Sequence, residues 1–255
     1  LQAVSSADVA RQVDIVILML PDSPQVEEVM LGENGVLMGA KEGVLVIDMS
    51  SIAPLVSRKV AELALTHGVK FVDAPVSGGE PGAIEGALSI MVGGDKADYD
   101  RALPLLKTMG ANVVRVGEVG SGNSAKLANQ IMVALNIAAM GEALVLATKA
   151  GVNPGLVYRA VRGGLAGSNV LDAKAPLVLQ RAFKPGFRID LHFKDLNNVM
   201  QTAHSLGVPL PLTSLIVEML SALRSQGYGG CDHGAIVRFH EQLAGIEICE
   251  GGCPE

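Results

Sequence analysis

Lys126, Asn129 and Gln130 stand at i, i+3 and i+4 in an otherwise apolar stretch. On a helix they share one face, with Asn136 falling close to it. An ammonium beside two amides can move a proton and hold a small polar molecule. Earlier in the chain, Asp73-Ala74-Pro75-Val76-Ser77-Gly78-Gly79 closes an apolar run. Its glycines permit positive φ and close backbone approach, so the N–H groups around Ser77, Gly78 and Gly79 can form an anion nest. A helix expected near Glu80 adds its positive end. The guest that suits such a nest is a carboxylate. Anion cradle and helix-mounted ammonium together describe a site for a small hydroxy acid. Taken singly, the first segment also suits a plain turn and the second a solvated helix stripe.

Other polar groups lie at the ends of apolar runs. Leu20-Pro21 and Asp48-Met-Ser-Ser51 follow two of them. In open parallel sheets, ligands bind outside the carboxyl ends of the strands. Pro21 can turn the chain over a cofactor, and Ser51 can offer its hydroxyl to a ribose or carboxamide; ordinary turn chemistry explains both equally well. A third cluster, Phe193-Lys194-Asp195-Leu196-Asn197-Asn198, reads as the start of a surface helix. Gly120-Ser-Gly-Asn-Ser-Ala125 fits the dinucleotide fingerprint G-x-G-x-x-A in form. The full motif needs a second strand after a short helix, and here a long apolar helix follows, so a glycine hinge into that helix is the better reading. His67, His192, His204, His233 and His240 lack ligand spacing, so no metal is expected.

Composition narrows the class. The chain has 255 residues, 49% apolar and 18% charged, which allows a large core. There is no Trp and aromatic residues are 3% of the chain, so stacking platforms for single-stranded nucleic acid are not expected. A net charge of −6 leaves no basic footprint for nucleic acid. The three cysteines, Cys231, Cys249 and Cys253, make no disulfide framework, and the last two read as part of a mobile tail. The apolar run Ile131 to Val152 carries Asn136, Glu142 and Lys149, which suits a buried helix better than a membrane span. No membrane partner is expected. Cysteine scarcity and the lack of a leader pattern suggest a cytoplasmic location.

The elements that must position these groups can be read along the chain. Short apolar runs at 14–20, 44–48, 69–73, 88–92 and 112–116 are strands of the buried parallel type, with helices between them, including Pro54 to His67. Alternating strands and helices predict a doubly wound α/β domain. After Val116 the pattern holds no strand. Helices are expected at 121–150, 154–163, 169–181, 192–206, 212–226 and 234–246, punctuated by glycine and proline.

These segments in this order resemble the β-hydroxyacid dehydrogenase family, from about residue 5 to residue 247. Asp73 to Gly79 looks like its substrate-binding motif and Gly120 to Gln130 like its catalytic motif. The resemblance implies Lys126 as catalytic residue and Ser77, Gly78, Gly79, Asn129 and Gln130 as substrate-binding residues. It implies Leu20, Pro21, Ser51 and Lys194 as cofactor-binding residues, with NAD or NADP as cofactor. The segments Gly78 to Gly82, Arg162 to Ser168 and Phe187 to Leu191 look like the branch that reduces tartronate semialdehyde to D-glycerate. Branches acting on 3-hydroxyisobutyrate or succinic semialdehyde, and a non-catalytic scaffold, are the alternatives. The family's first strand, glycine-rich turn and helix have no counterpart in this sequence. The expected architecture is therefore a partial Rossmann-type doubly wound domain over 1–118, its first βαβ portion absent. An all-helical substrate and dimerisation domain follows over 119–255, and a homo-oligomer is expected.

Overall fold

The computed structural model describes residues 3–248. The chain divides into two compact units, Leu1–Ala128 and Asn129–Glu255. The expected break at 118/119 lies at the turn into a long helix, whereas the units divide inside that helix.

In the first unit, α1 (Ser6–Gln12) leads into β1 (Ile15–Leu18), α2 (Ser23–Leu31), β2 (Leu45–Asp48), α3 (Pro54–Thr66) and β3 (Lys70–Asp73). These three strands are parallel, in a register that sets Leu18 beside Asp48 and Asp48 beside Asp73. All four β2 residues are buried because both faces of the sheet are covered. Val46 packs with Val26, Met30 and Val60 of α2 and α3. Leu45 and Ile47 pack on the opposite side with Ala102 and Leu106 of α5 (Lys96–Leu106). This two-sided burial is why the run reads as continuously apolar instead of alternating.

Beyond β3 the sheet departs from the all-parallel expectation. The short β4 (Val76–Ser77) and α4 (Gly79–Ile84) precede β5 (Ser89–Gly93). β5 is antiparallel to β3 through the single pair Asp73–Gly93 and antiparallel to β4 through Val76–Ile90 and Ser77–Ser89. β6 (Asn112–Gly117) pairs β5 in parallel. α6 (Ser121–Lys149) then begins.

Among the described residues, the second unit contains no strand, as its sequence predicts. After α6 come α7 (Pro154–Val161), α8 (Asn169–Leu179), α9 (Ile189–Leu206), α10 (Pro211–Ser225) and α11 (Val237–Ala244). Local chemistry sets their ends. Asn153 accepts the Gly155 and Leu156 amides at the start of α7, and Ser168 accepts Leu171 at the start of α8. Gly207, at φ 68°, closes α9 in the left-handed conformation that glycine tolerates. Asp232 is a buried anchor, accepting Lys174 Nζ at 2.8 Å and the amides of Gly234, Gly186 and Phe187. Burial pushes its pKa up, but the lysine and amide bonds outweigh this and hold it below the usual value.

α6 is long and apolar enough to cross a membrane by length and composition alone. It nevertheless carries Asn123, Lys126 and Gln130, all buried within the molecule. Cys231 is a free thiol, and Cys249 and Cys253 lie outside the described residues.

Candidate active site

In the first unit the site is built where β1, β2 and β3 end. The Leu20 amide donates to Ser50 Oγ at 2.9 Å, tying the loop after β1 to the loop after β2. Ser50 N in turn donates to Asp48 Oδ1 at 3.0 Å. Leu20, exposed Pro21 and half-buried Ser51 thus share the carboxyl edge of adjacent parallel strands. In open parallel sheets, ligands bind outside that edge.

Asp73 ends β3 and is fully buried. Its Oδ1 accepts the Gly120 amide and its Oδ2 the Asn123 amide, both at 2.7 Å. The first helical N–H groups have no partner inside their own helix. Here a carboxylate from 47 and 50 residues away supplies it, and it also complements the positive end of the α6 dipole. Asn123 adds two side-chain bonds. Its Oδ1 accepts the Ile52 amide, and its Nδ2 donates to Ser57 Oγ, each at 3.1 Å. The loop after β2, the first turn of α3 and the start of α6 therefore meet at one buried amide. Lys126 lies one turn further along, with 7% of its surface exposed.

From Asp73 the chain continues into the other predicted segment. Ser77 lies in β4, and Gly78 and Gly79 follow with φ of 137° and 63°. Consecutive positive φ values are reachable without strain only for glycine, so this bend requires both. α4 begins at Gly79, as expected for the turn.

In the second unit, the remaining predicted residues form a single bonded chain. Asn129 Nδ2 donates to Gln130 Oε1 at 2.8 Å, and Gln130 Nε2 donates to Asp195 Oδ2 at 2.6 Å. Lys194 Nζ lies 2.7 Å from Asp195 Oδ1. Asp195 is 3% exposed, so the cluster expected at a surface helix start is instead built into α9. Its neighbour His192 meets His233 Nδ1 to Nδ1 at 2.9 Å, with Phe187 edge-on to both rings. Asn136 does not join this group. It is exposed and bonds the Met132 carbonyl.

The buried bonds of Asp73, Asn123, Ser57, Asp195 and His233 are not foreseen from the sequence. Two signals were available: Asp73 opens the substrate segment, and Asn123 sits inside the discounted G-x-G-x-x-A match.

Comparison with known proteins gives the family. The model for the NAD-binding domain of 6-phosphogluconate dehydrogenase matches residues 2–117. The model for the NAD-binding region of NADP-dependent 3-hydroxyisobutyrate dehydrogenase matches residues 120–240. The 2-hydroxy-3-oxopropionate reductase of Escherichia coli (strain K12) is 46% identical over 95% of this chain and 85% of its own. The chain belongs to the β-hydroxyacid dehydrogenase family. Another relative, the 2-(hydroxymethyl)glutarate dehydrogenase of Eubacterium barkeri, is 35% identical over 95% of this chain and 81% of its own. The solved 3-hydroxyisobutyrate dehydrogenase of Mycobacterium tuberculosis with L-serine superposes with a TM-score of 0.85 at 31% identity. That alignment covers 92% of this chain and 82% of the other. As a family member, the protein is an NAD(P)-dependent oxidoreductase acting on a small molecule.

Proposed function

We propose that this β-hydroxyacid dehydrogenase interconverts tartronate semialdehyde and D-glycerate, with Lys126 as its proton-transfer residue. One observation carries the reading. The Asp73 carboxylate bonds the helix of Lys126 to the strand that runs on into Ser77, Gly78 and Gly79. The choice of aldehyde is supported by the 46% identity to a 2-hydroxy-3-oxopropionate reductase.

Leu20, Pro21, Ser51 and Lys194 would hold NAD or NADP, which when bound would supply the hydride for reduction of the substrate's carbonyl carbon and accept it in the reverse direction. During reduction the Lys126 ammonium donates a proton to the substrate oxygen as negative charge develops there, and during oxidation the amine takes it back. Such transfer is worth about 10²–10⁴-fold in rate. Backbone and hydroxyl groups of Ser77, Gly78 and Gly79 bind the carboxylate. Asn129 orients the substrate hydroxyl, and Gln130, bonded to Asn129 and Asp195, fixes that amide.

Two further features belong to this reading. Cysteine scarcity supports work in the cytoplasm. Exposed Met132 and Leu146 on α6 support a homo-oligomer.

Steady-state kinetics test the substrate. kcat/KM is expected to be highest for tartronate semialdehyde against methylmalonate and succinic semialdehydes. A higher value for either competitor would overturn the assignment, and no turnover of any would favour the scaffold. Ser77→Ala is expected to raise substrate KM about tenfold, the loss of one hydrogen bond to a charged group. An unchanged KM would remove Ser77 from the cradle.

A further inference from the structure

We propose that Asp73 and Asn123 are positioning residues of the reaction. Ionised Asp73 locks the helix of Lys126 to the strand that delivers the substrate loop, and Asn123 locks the same helix to the loop after β2. The inference rests on Lys126 being the proton-transfer residue.

The bonding pattern singles out the ionised form. Both Asp73 oxygens accept an amide from the first turn of α6, each at 2.7 Å. A protonated carboxyl turns one oxygen into a hydroxyl, which offers that amide a weaker, uncharged acceptor. The surroundings leave little slack. A side chain on Gly122 would meet the Met91 and Asp73 carbonyls at 2.5 and 2.6 Å, and one on Gly93 would strike Asp73 Oδ1. Arg58 of α3 lies against Gly120, which adopts φ 87°. Lys126 is a single turn beyond Asn123, so a displacement of that turn moves the amine directly. Misplacement by about 1 Å costs about 10²-fold in rate.

A surface N-cap would hold a helix without burying a charge, so holding this carboxylate inside works against stability. Burial pushes the Asp73 pKa up to about 6, against the lowering by the Asn123 and Gly120 amides and Arg58. The charged groups around it are few. Asp48 faces it from β2 and Arg58 from α3; Glu118, in the turn before α6, is exposed and paired with Arg115, and Lys126 follows on α6 itself. From α5, Asp98 is engaged with Lys70 at the other end of β3. The lock therefore slackens as pH falls through about 6, and turnover falls with it.

The test separates this lock from the catalytic assignment. In the protein without cofactor, the amide protons of Gly120 and Asn123 are followed by NMR from pH 8 to 5. They are expected to shift together with a midpoint near the Asp73 value of about 6, and not to titrate in Asp73→Asn. Asp73→Asn is expected to lower kcat about 10²-fold with substrate KM nearly unchanged, and to remove the acid limb of the kcat profile. Asn123→Ala keeps its backbone bond to Asp73. With its helix freed from the loop after β2, this variant is expected to lose kcat about tenfold, with cofactor binding by nicotinamide fluorescence also weakened about tenfold; an unchanged kcat would remove Asn123 from the lock. Amides that do not titrate, or a kcat for Asp73→Asn within about threefold of wild type, would overturn the proposal. If Asp73→Asn does not fold, the wild-type titration and Asn123→Ala decide it. Titrating amides in a protein that reduces none of the aldehydes would leave the lock standing and reject the proposed function instead.

Discussion

Asp48 and Asp73 are register neighbours on β2 and β3, both out of water. Burial is the largest cause that pushes each pKa up to about 6. They differ in their bonds: Asp73 has both oxygens occupied, whereas Asp48 Oδ2 has no hydrogen bond among the described residues. Raised carboxyl pKa values mean that the native state binds more protons than the unfolded chain between about pH 4 and 6. The stability these groups contribute is full below the unfolded value and is lost as pH rises through the folded one. His240, lowered by burial, works in the opposite direction as pH falls. Asp48→Asn isolates the carboxyl. It is expected to be stabilised at pH 7.5 by roughly 1–3 kcal/mol in denaturant unfolding, with the gap shrinking toward pH 4. A gap independent of pH would show that Asp48 is not held against its ionisation. The two aspartates also show what a sequence hides. Ser77 to Gly79 are legible because a double-glycine bend needs its residue type, and the Lys126 face because helical spacing is local. The work of Asp73 depends on partners 47 and 50 residues away, which no local pattern encodes.

At the scale of elements, β3 and α6 act as one piece. Gly122 is where they touch, with the Met91 and Asp73 carbonyls and the Gly93 amide all within 3 Å of where a Cβ would stand. These contacts are backbone, so no side chain can rotate away. Gly122→Ala is expected to cost about 2–4 kcal/mol of stability and to lower kcat as the helix is pushed from the sheet. Thermal unfolding and steady-state rates check this; an unchanged Tm with wild-type kcat would mean the two elements are not in register-defining contact. Strand and helix positions were readable to within a few residues, since apolar runs and proline or glycine stops are local signals. The antiparallel placement of β5 was not. It is set by one pair, Asp73–Gly93, and by the two-residue β4, and periodicity gives a strand no direction.

Across the whole molecule, two chemistries are divided between two compact units. The first holds the strand ends, the glycine bend and Lys126, and the second holds the Asn129–Gln130–Asp195–Lys194 chain. Alternating and then strand-free patterning foretold that α/β-then-helical order, because each half buries its apolar residues with a different period. In the proposed homo-oligomer, another copy covers exposed apolar residues of α6 such as Met132 and Leu146. Light scattering is expected to give a mass of at least twice 26.4 kDa, and a monomer at micromolar concentration would contradict it. The proposed reaction turns on the amine of residue 126 moving the proton. Lys126→Ala, measured for turnover of tartronate semialdehyde and for dinucleotide binding by nicotinamide fluorescence, tests it most directly. The kcat of this variant is expected to fall at least about 10²-fold with cofactor affinity retained; turnover at the wild-type rate would show that another group moves the proton.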